Sequence, residues 1–160
     1  MQVGIVLGKR AQWNTMKHTA ELLAHLGITY EARIITANKS YKQLHEYAST
    51  AIDRGIEIII AGSTGDIYLP GIIASQTEVP VVGIQINQST TRKHTHKAEA
   101  ENIGNTIRII NTGTEGAINA ALFAASILSH KCTRTYEKLI KYRHQNEFGN
   151  VFSANSIYNA

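Results

Sequence analysis

The 160-residue sequence has a single cysteine, modest charge and no apolar run long enough to cross a bilayer. Cys132 has no second cysteine to pair with, which excludes an internal disulfide and leads us to expect a cytoplasmic protein. No apolar run approaches the roughly 20 residues that a transmembrane helix needs, and we expect no signal peptide. Hydrophobic residues make up 43% and charged residues 18%, a composition that excludes a disordered chain.

Short apolar runs alternate with amphipathic segments along the chain. The run at 57–61 is β-branched and too short for a helix, which predicts a buried parallel strand, and strands are also predicted over 3–7, 30–35, 81–86 and 107–110. Apolar residues three and four apart predict helices over 13–26, 41–54, 66–76 and 117–128. Because such alternation requires crossover connections, the sequence predicts an α/β domain with a central parallel sheet over residues 1–130.

The excess of positive charge lies in a C-terminal extension, residues 131–160. The chain has a formal net charge of +4, and segment 131–144 holds five lysines and arginines against the single acid Glu137. A further helix is predicted around 136–143. A solvated helix face explains the charge more simply than a nucleic-acid surface. The weakly patterned tail is expected to pack against a neighbouring subunit.

The stretch from 57 to 75, EIIIAGSTGDIYLPGIIAS, is the part of the sequence that most suggests a ligand site. Small residues follow an apolar strand and precede a helix, a position where backbone N–H groups can face a ligand. The same composition suits an ordinary tight connection, and both interpretations stay open. The loops at 8–12, 36–40 and 62–66 leave strands of one parallel sheet, so we expect them to converge on one pocket.

Four segments together resemble a known family over residues 3–128: VGIVLGKRAQW, AELLAHLGITYEARIITANK, GIEIIIAGSTGDIYLPGIIA and GTEGAINAALFAASIL. They are similar to class I PurE proteins, the carboxyaminoimidazole ribonucleotide mutases and aminoimidazole ribonucleotide carboxylases of purine biosynthesis. The resemblance implies a three-layer, flavodoxin-like domain that assembles into a homo-octamer. It also implies a site for a phosphorylated small molecule of the ribonucleotide class.

The loops depart from the family's pattern at the positions that carry its chemistry. Its first loop reads Gly-Ser-x-Ser-Asp-Trp, with serines on the phosphate and aspartate on the ribose, whereas Lys9, Ala11 and Gln12 stand there in this chain. Asn38 replaces the catalytic histidine of the second loop, and Tyr68 replaces the histidine before Leu-Pro-Gly in the third. Because an amide does not titrate near neutral pH, the sequence predicts a divergent member without the general acid/base histidine.

The resemblance and the loop positions give the candidate site residues. Asn38 and Tyr68 occupy catalytic positions. The predicted ligand-binding residues are Gly8, Lys9, Arg10, Gln12, Thr36, Lys39, Gly62, Ser63, Thr64, Gly65, Asp66 and Leu69. The three cations among them would attract an anion, although solvated surface residues explain them equally well.

The remaining histidines and the cysteine give no reason to expect a metal site, and we expect no cofactor. His94 and His96 alternate and could face one ion, but no cysteine or carboxylate cluster accompanies them. Together with Tyr68 they are candidates to replace the missing proton carrier, although a structural or exposed role is simpler for each. Cys132 follows the last domain helix and is expected to be inert.

Three functions follow from these residues, and the sequence leaves open whether the protein is an enzyme. A repurposed family member ranks first; it would bind a phosphorylated small molecule and catalyse a related carboxylation, decarboxylation or rearrangement. A catalytically inactive oligomeric binding or scaffold protein ranks second, since both histidines are replaced. The genuine mutase of purine biosynthesis ranks third.

Overall fold

A computed structural model describes residues 2–35, 41–64, 69–86, 107–110 and 113–147. Its strands are β1 (Val3–Leu7), β2 (Tyr30–Ile34), β3 (Ile58–Ser63), β4 (Val81–Gln85) and β5 (Ile107–Ile110). Its helices are a 3-10 turn (Arg10–Gln12), α1 (Trp13–His25), α2 (Tyr41–Ser49), α3 (Leu69–Ala74), α4 (Gly113–Ser129) and α5 (Thr133–Glu147).

The five strands form one parallel sheet in the order β2-β1-β3-β4-β5. β1 lies between β2 and β3, so that Val3 pairs with Tyr30 on one side and with Ile58 on the other. This strand order is that of flavodoxin-like folds. The predicted fold class, a three-layer α/β domain with a C-terminal helical extension, is therefore confirmed.

Two apolar clusters cover the two faces of the sheet. Successive strand residues alternate between them: Leu7 and Ile60 belong to the cluster that includes α1 and α4, and Val6 and Ile59 to the cluster that includes α2 and α3. A strand that is covered on both faces needs apolar residues at every position. This explains why the sequence shows unbroken apolar runs instead of alternation.

α4 packs closely against α1 because its inner face is built from alanines. These residues are fully buried: Ala117, Ala120, Ala121, Ala124 and Ala125. Thr19 of α1 is also fully buried, and its hydroxyl donates to the carbonyl oxygen of Ala117 at 2.8 Å. The bond satisfies a polar group that would otherwise be costly inside the core.

The predicted second strand is present as β2, and most of it is exposed. β2 lies at the edge of the sheet, and its residues Ala32, Arg33 and Ile34 are exposed. An edge strand has only one neighbour, and here its far end is not covered by the described helices.

Several predicted boundaries also differ from the structure. β3 continues to Ser63, so Gly62 and Ser63 belong to the strand and not to the predicted loop. α2 ends at Ser49, earlier than predicted, while α4 begins at Gly113 and α5 at Thr133, both earlier than predicted.

The basic extension packs on its own chain. Leu139 of α5 is 2% exposed and belongs to the buried cluster of α1 and α4. Lys131 pairs with Glu57 at 2.8 Å, Arg143 donates to the Ser126 hydroxyl at 2.8 Å, and Lys138 reaches a carbonyl at the end of α1. The expected contact of residues 131–160 with a neighbouring subunit stays a prediction. Among the described helices, none is long and apolar enough to cross a membrane.

Candidate functional site

The loop after β1 is joined to the end of β3 by the side chain of Gln12. β1 and β3 are neighbours, with Leu7 paired to Gly62, so their following loops leave the sheet side by side. The Gln12 Oε1 atom accepts hydrogen bonds from the backbone N–H groups of Gly8 at 2.8 Å and Lys9 at 3.1 Å. Its Nε2 atom lies 3.3 Å from Thr64 Oγ1.

A reciprocal turn explains why Gln12 is held in this place. Gln12 ends the 3-10 turn; its backbone N–H donates to the Lys9 carbonyl at 3.1 Å, while its side chain accepts from the Lys9 N–H. The same exchange occurs in a capping box, where a glutamine three residues into a helix returns to the preceding backbone. It satisfies N–H groups that have no partner inside the helix.

Leu69 closes the other side of Gly8. It is the first residue of α3 and is 2% exposed. A Cβ atom placed on Gly8 would lie 3.9 Å from Leu69 Cδ2 and 3.8 Å from Gln12 Oε1. The structure thus brings together four of the predicted ligand-binding residues, namely Gly8, Gln12, Thr64 and Leu69.

Gly62 and Ser63 are placed beneath this site, inside β3. A Cβ atom on Gly62 would lie 2.9 Å from Ile86 Cδ1 and 3.2 Å from Leu7 Cδ2, so a larger residue would have to displace the ends of these core side chains. Ser63 is 7% exposed, and its carbonyl oxygen accepts from the N–H of Ile86 at 2.7 Å. Their contact with a ligand stays a prediction.

Two positively charged residues lie at the start of the helical segment formed by the 3-10 turn and α1. Lys9 and Arg10 are exposed at this end, and neither the 3-10 turn nor α1 has an acidic residue in its first turn. The N-terminal end of a helix attracts negative charge, and these two cations add to that attraction. This arrangement is suited to an anion.

The remaining predicted site residues lie outside the described residues: Thr36, Asn38, Lys39, Gly65, Asp66 and Tyr68, together with His94 and His96. Within the part of the chain that is described, no group of three histidine, cysteine or acidic side chains could hold a metal ion.

Two titratable side chains with shifted pKa values lie outside this site. Burial, and next the negative charge of Glu31, raise the pKa of Tyr47 well above its usual range. A hydrogen bond from the Thr135 side chain lowers the pKa of Cys132, which lies at the start of α5. Because Cys132 follows the helix that runs back from β5, it lies near the opposite end of the sheet from Gln12.

Sequence reasoning placed Gln12 in the site but missed its bonds to the loop. A signal was present, since Gln12 follows Lys9 by three residues at the start of a helix, the spacing of a capping box. The bond to Thr64 had no such signal, because it joins residues 52 positions apart.

Comparisons with known proteins agree on one family. The AIR carboxylase family model matches residues 2–148. An N5-carboxyaminoimidazole ribonucleotide mutase of Pyrococcus abyssi is 39% identical, over 89% of this chain and 82% of its own. The mutase of Pseudomonas aeruginosa is 36% identical, over 88% of each chain. A crystal structure of Treponema denticola PurE has the same fold, with a TM-score of 0.72, 20% identity and 99% of each chain covered. This chain therefore belongs to the AIR carboxylase family, as the loop motifs predicted.

Proposed function

We propose that this protein binds a phosphorylated ribonucleotide between the loop after β1 and the end of β3, and catalyses carboxyl transfer on it. The observation that carries the proposal is a set of three hydrogen bonds that joins the two walls of the site: Gln12 accepts from the N–H groups of Gly8 and Lys9 and donates to the Thr64 hydroxyl. Walls that are joined before the ligand arrives lose little conformational freedom on binding.

Local charge supports an anionic ligand. Lys9 and Arg10 lie beside the N-terminal end of the helical segment, whose first turn has no acidic residue. Lysine and arginine form charge-assisted hydrogen bonds to phosphate oxygens. We expect these cations to hold the phosphate that the family resemblance otherwise assigns to serine hydroxyls.

The relatives support carboxyl transfer as the class of reaction. Two of them, at 39% and 36% identity, are named N5-carboxyaminoimidazole ribonucleotide mutase. Those names lend no support to a repurposed or an inactive member. We therefore rank the mutase reaction first, ahead of the two hypotheses that the loop residues alone favoured.

A second candidate, a member that binds the ribonucleotide without the mutase reaction, is favoured by one residue. Asn38 stands where the resemblance places the general acid/base histidine. A positioned acid/base typically contributes about 10²–10⁴-fold to the rate, and an amide cannot supply that proton transfer. Tyr68, His94 and His96 are the candidates for a substitute group.

Calorimetric titration with aminoimidazole ribonucleotide and its two carboxylated forms tests the proposal, followed by turnover of the wild type and of Asn38→His. Binding together with measurable interconversion of the carboxylated forms is the expected result. Binding without turnover, with activity appearing only in Asn38→His, would establish the second candidate instead. Absence of binding at millimolar ligand would reject both.

A further inference from the structure

The Gln12 side chain hydrogen-bonds within the protein through its amide oxygen and one of its amide N–H groups. Its oxygen accepts from two backbone N–H groups, at 2.8 Å and 3.1 Å, and its nitrogen contacts the Thr64 hydroxyl at 3.3 Å. An amide oxygen has two lone pairs, so both are used. Gln12 is also only 3% exposed, which leaves almost none of it to meet a ligand.

We infer that Gln12 is a positioning residue: it fixes the loop after β1 against Thr64, so that Lys9 and Arg10 face the ligand, and it does not itself touch the ligand. The inference rests on the proposed function and deepens it. It departs from the role that the resemblance gives to this position, where an aspartate holds the ribose.

A neutral amide at position 12 suits an anion site better than a carboxylate would. A glutamate of the same length could accept from the N–H groups of Gly8 and Lys9, and the Thr64 hydroxyl could turn to donate to it. It would also add a negative charge beside Lys9 and Arg10 and weaken their attraction for an anion. Glutamine therefore joins the loops while leaving the positive charge intact.

Three substitutions separate these effects. Gln12→Met keeps the length of the side chain and removes its hydrogen bonds; Gln12→Glu keeps acceptors for the loop and adds charge; Thr64→Val removes the partner across the site. Gln145→Met, at an exposed glutamine of α5, is the matched control.

The first measurement is the affinity for aminoimidazole ribonucleotide at low salt. We expect Gln12→Met to weaken binding about 10–100-fold and Thr64→Val about 3–10-fold, from the number of hydrogen bonds lost. We expect Gln12→Glu to weaken it about 3–10-fold, with the loss shrinking as salt screens the added charge. Gln145→Met should bind as the wild type does.

The second measurement needs no ligand and keeps the inference testable if the proposed function fails. Amide hydrogen exchange at Gly8 and Lys9 should accelerate at least about tenfold in Gln12→Met, because their N–H groups lose their acceptor. It should stay slow in Gln12→Glu and in Gln145→Met.

Two results would overturn the inference. Tighter binding by Gln12→Glu would mean that position 12 meets the ligand's hydroxyl groups directly. Unchanged exchange in Gln12→Met would mean that the side chain does not hold the loop. If the wild type binds no ribonucleotide, the proposed function and the ligand part of the inference fail together, whereas the exchange data alone decide whether Gln12 fixes the loop.

Discussion

Gly4, the second residue of β1, leaves the space that the Tyr47 hydroxyl needs. A Cβ atom on Gly4 would collide with the Tyr47 hydroxyl oxygen, while the next nearest atoms, Ile56 Cδ1 and Tyr47 Cζ, would lie at 3.5 Å. Tyr47 is 7% exposed and has little room to move. We expect Gly4→Ala to lower the free energy of unfolding by about 1–3 kcal/mol, measured by urea denaturation, because overpacking a close-packed interior strains it.

The Tyr47→Phe variant supplies the control for this prediction. Phenylalanine lacks the oxygen that the new methyl group would meet, so Gly4→Ala should cost much less in the Tyr47→Phe background. The double-mutant cycle should therefore show a coupling between positions 4 and 47. If the two costs are simply additive, the collision is not the cause.

The raised pKa of Tyr47 makes the free energy of unfolding depend on pH in alkaline solution. Its pKa is raised by burial and by the charge of Glu31, so the folded state keeps the phenol proton after the unfolded state has lost it. The stabilisation is complete below the unfolded pKa of about 10 and is lost as pH rises beyond it, at up to about 1.4 kcal/mol per pH unit.

Chemical denaturation of the wild type and of Tyr47→Phe between about pH 8 and pH 11 checks this sign. The wild type should lose stability faster than the variant above about pH 10, since the other tyrosines are common to both. Equal slopes would show that Tyr47 titrates alike in the folded and unfolded states.

At the site, the sequence could predict which residues are present but not how each side chain is directed. Gly8, Gln12 and Leu69 were predicted there, and the structure brings them together. That Gln12 faces inward could not be predicted, because its direction depends on Thr64 from a distant loop. Gly62 was assigned to a ligand loop, whereas the structure places it in β3, close to the side chains of Ile86 and Leu7.

At the scale of elements, short segments between turns predicted each described strand, and helical periodicity predicted the helices between them. β1 was placed over the residues that it occupies, because a strand covered on both faces gives an unbroken apolar run. β2 differs from β1 because it carries Glu31 and Arg33, and it lies at the sheet edge with Ala32, Arg33 and Ile34 exposed. The ends of α2 and α5 depend on local turns and packing that periodicity does not encode.

The extension contains a matched pair of residues that tests how α5 is held. Leu139 is 2% exposed in the main core, whereas Tyr136 on the same helix is 52% exposed. We expect Leu139→Ala to lower the free energy of unfolding by about 2–5 kcal/mol, because it leaves a cavity. Tyr136→Ala should change it by no more than about 0.5 kcal/mol.

Thermal and urea unfolding of both variants make the measurement. A similar small effect from both would mean that α5 is attached loosely to the domain in solution. A large loss from Tyr136→Ala would point instead to a partner that covers the exposed face, such as the neighbouring subunit expected for residues 131–160.

At the scale of the whole molecule, the basic segment of the extension makes contacts within this chain. The chain has a formal net charge of +4, with its basic excess in the extension. Lys131, Lys138 and Arg143 each contact groups of this chain: a carboxylate, a carbonyl and a hydroxyl. These contacts give three of the five cations of segment 131–144 a role in docking α5, and the solvated helix face in place of a nucleic-acid surface stays a prediction.

The exposed apolar side of α4 is a candidate contact between subunits. Phe123 and Ile127 are 39% and 37% exposed, and their spacing of four residues places them on one side of the helix. We predict a homo-octamer in which this apolar side is covered by another subunit, since covering it would remove apolar surface from water. Sedimentation velocity should give one species of eight 17.6 kDa chains.

The Phe123→Glu variant should shift sedimentation towards smaller species, because burying an unpaired carboxylate in an apolar contact is costly. Phe123→Leu keeps an apolar side chain and is the matched control; it should sediment as the wild type does. A wild type that remains monomeric at tens of micromolar would contradict the octamer. An octamer that Phe123→Glu leaves intact would show that the subunits meet through a different surface, with the exposed edge of β2 as the next one to test.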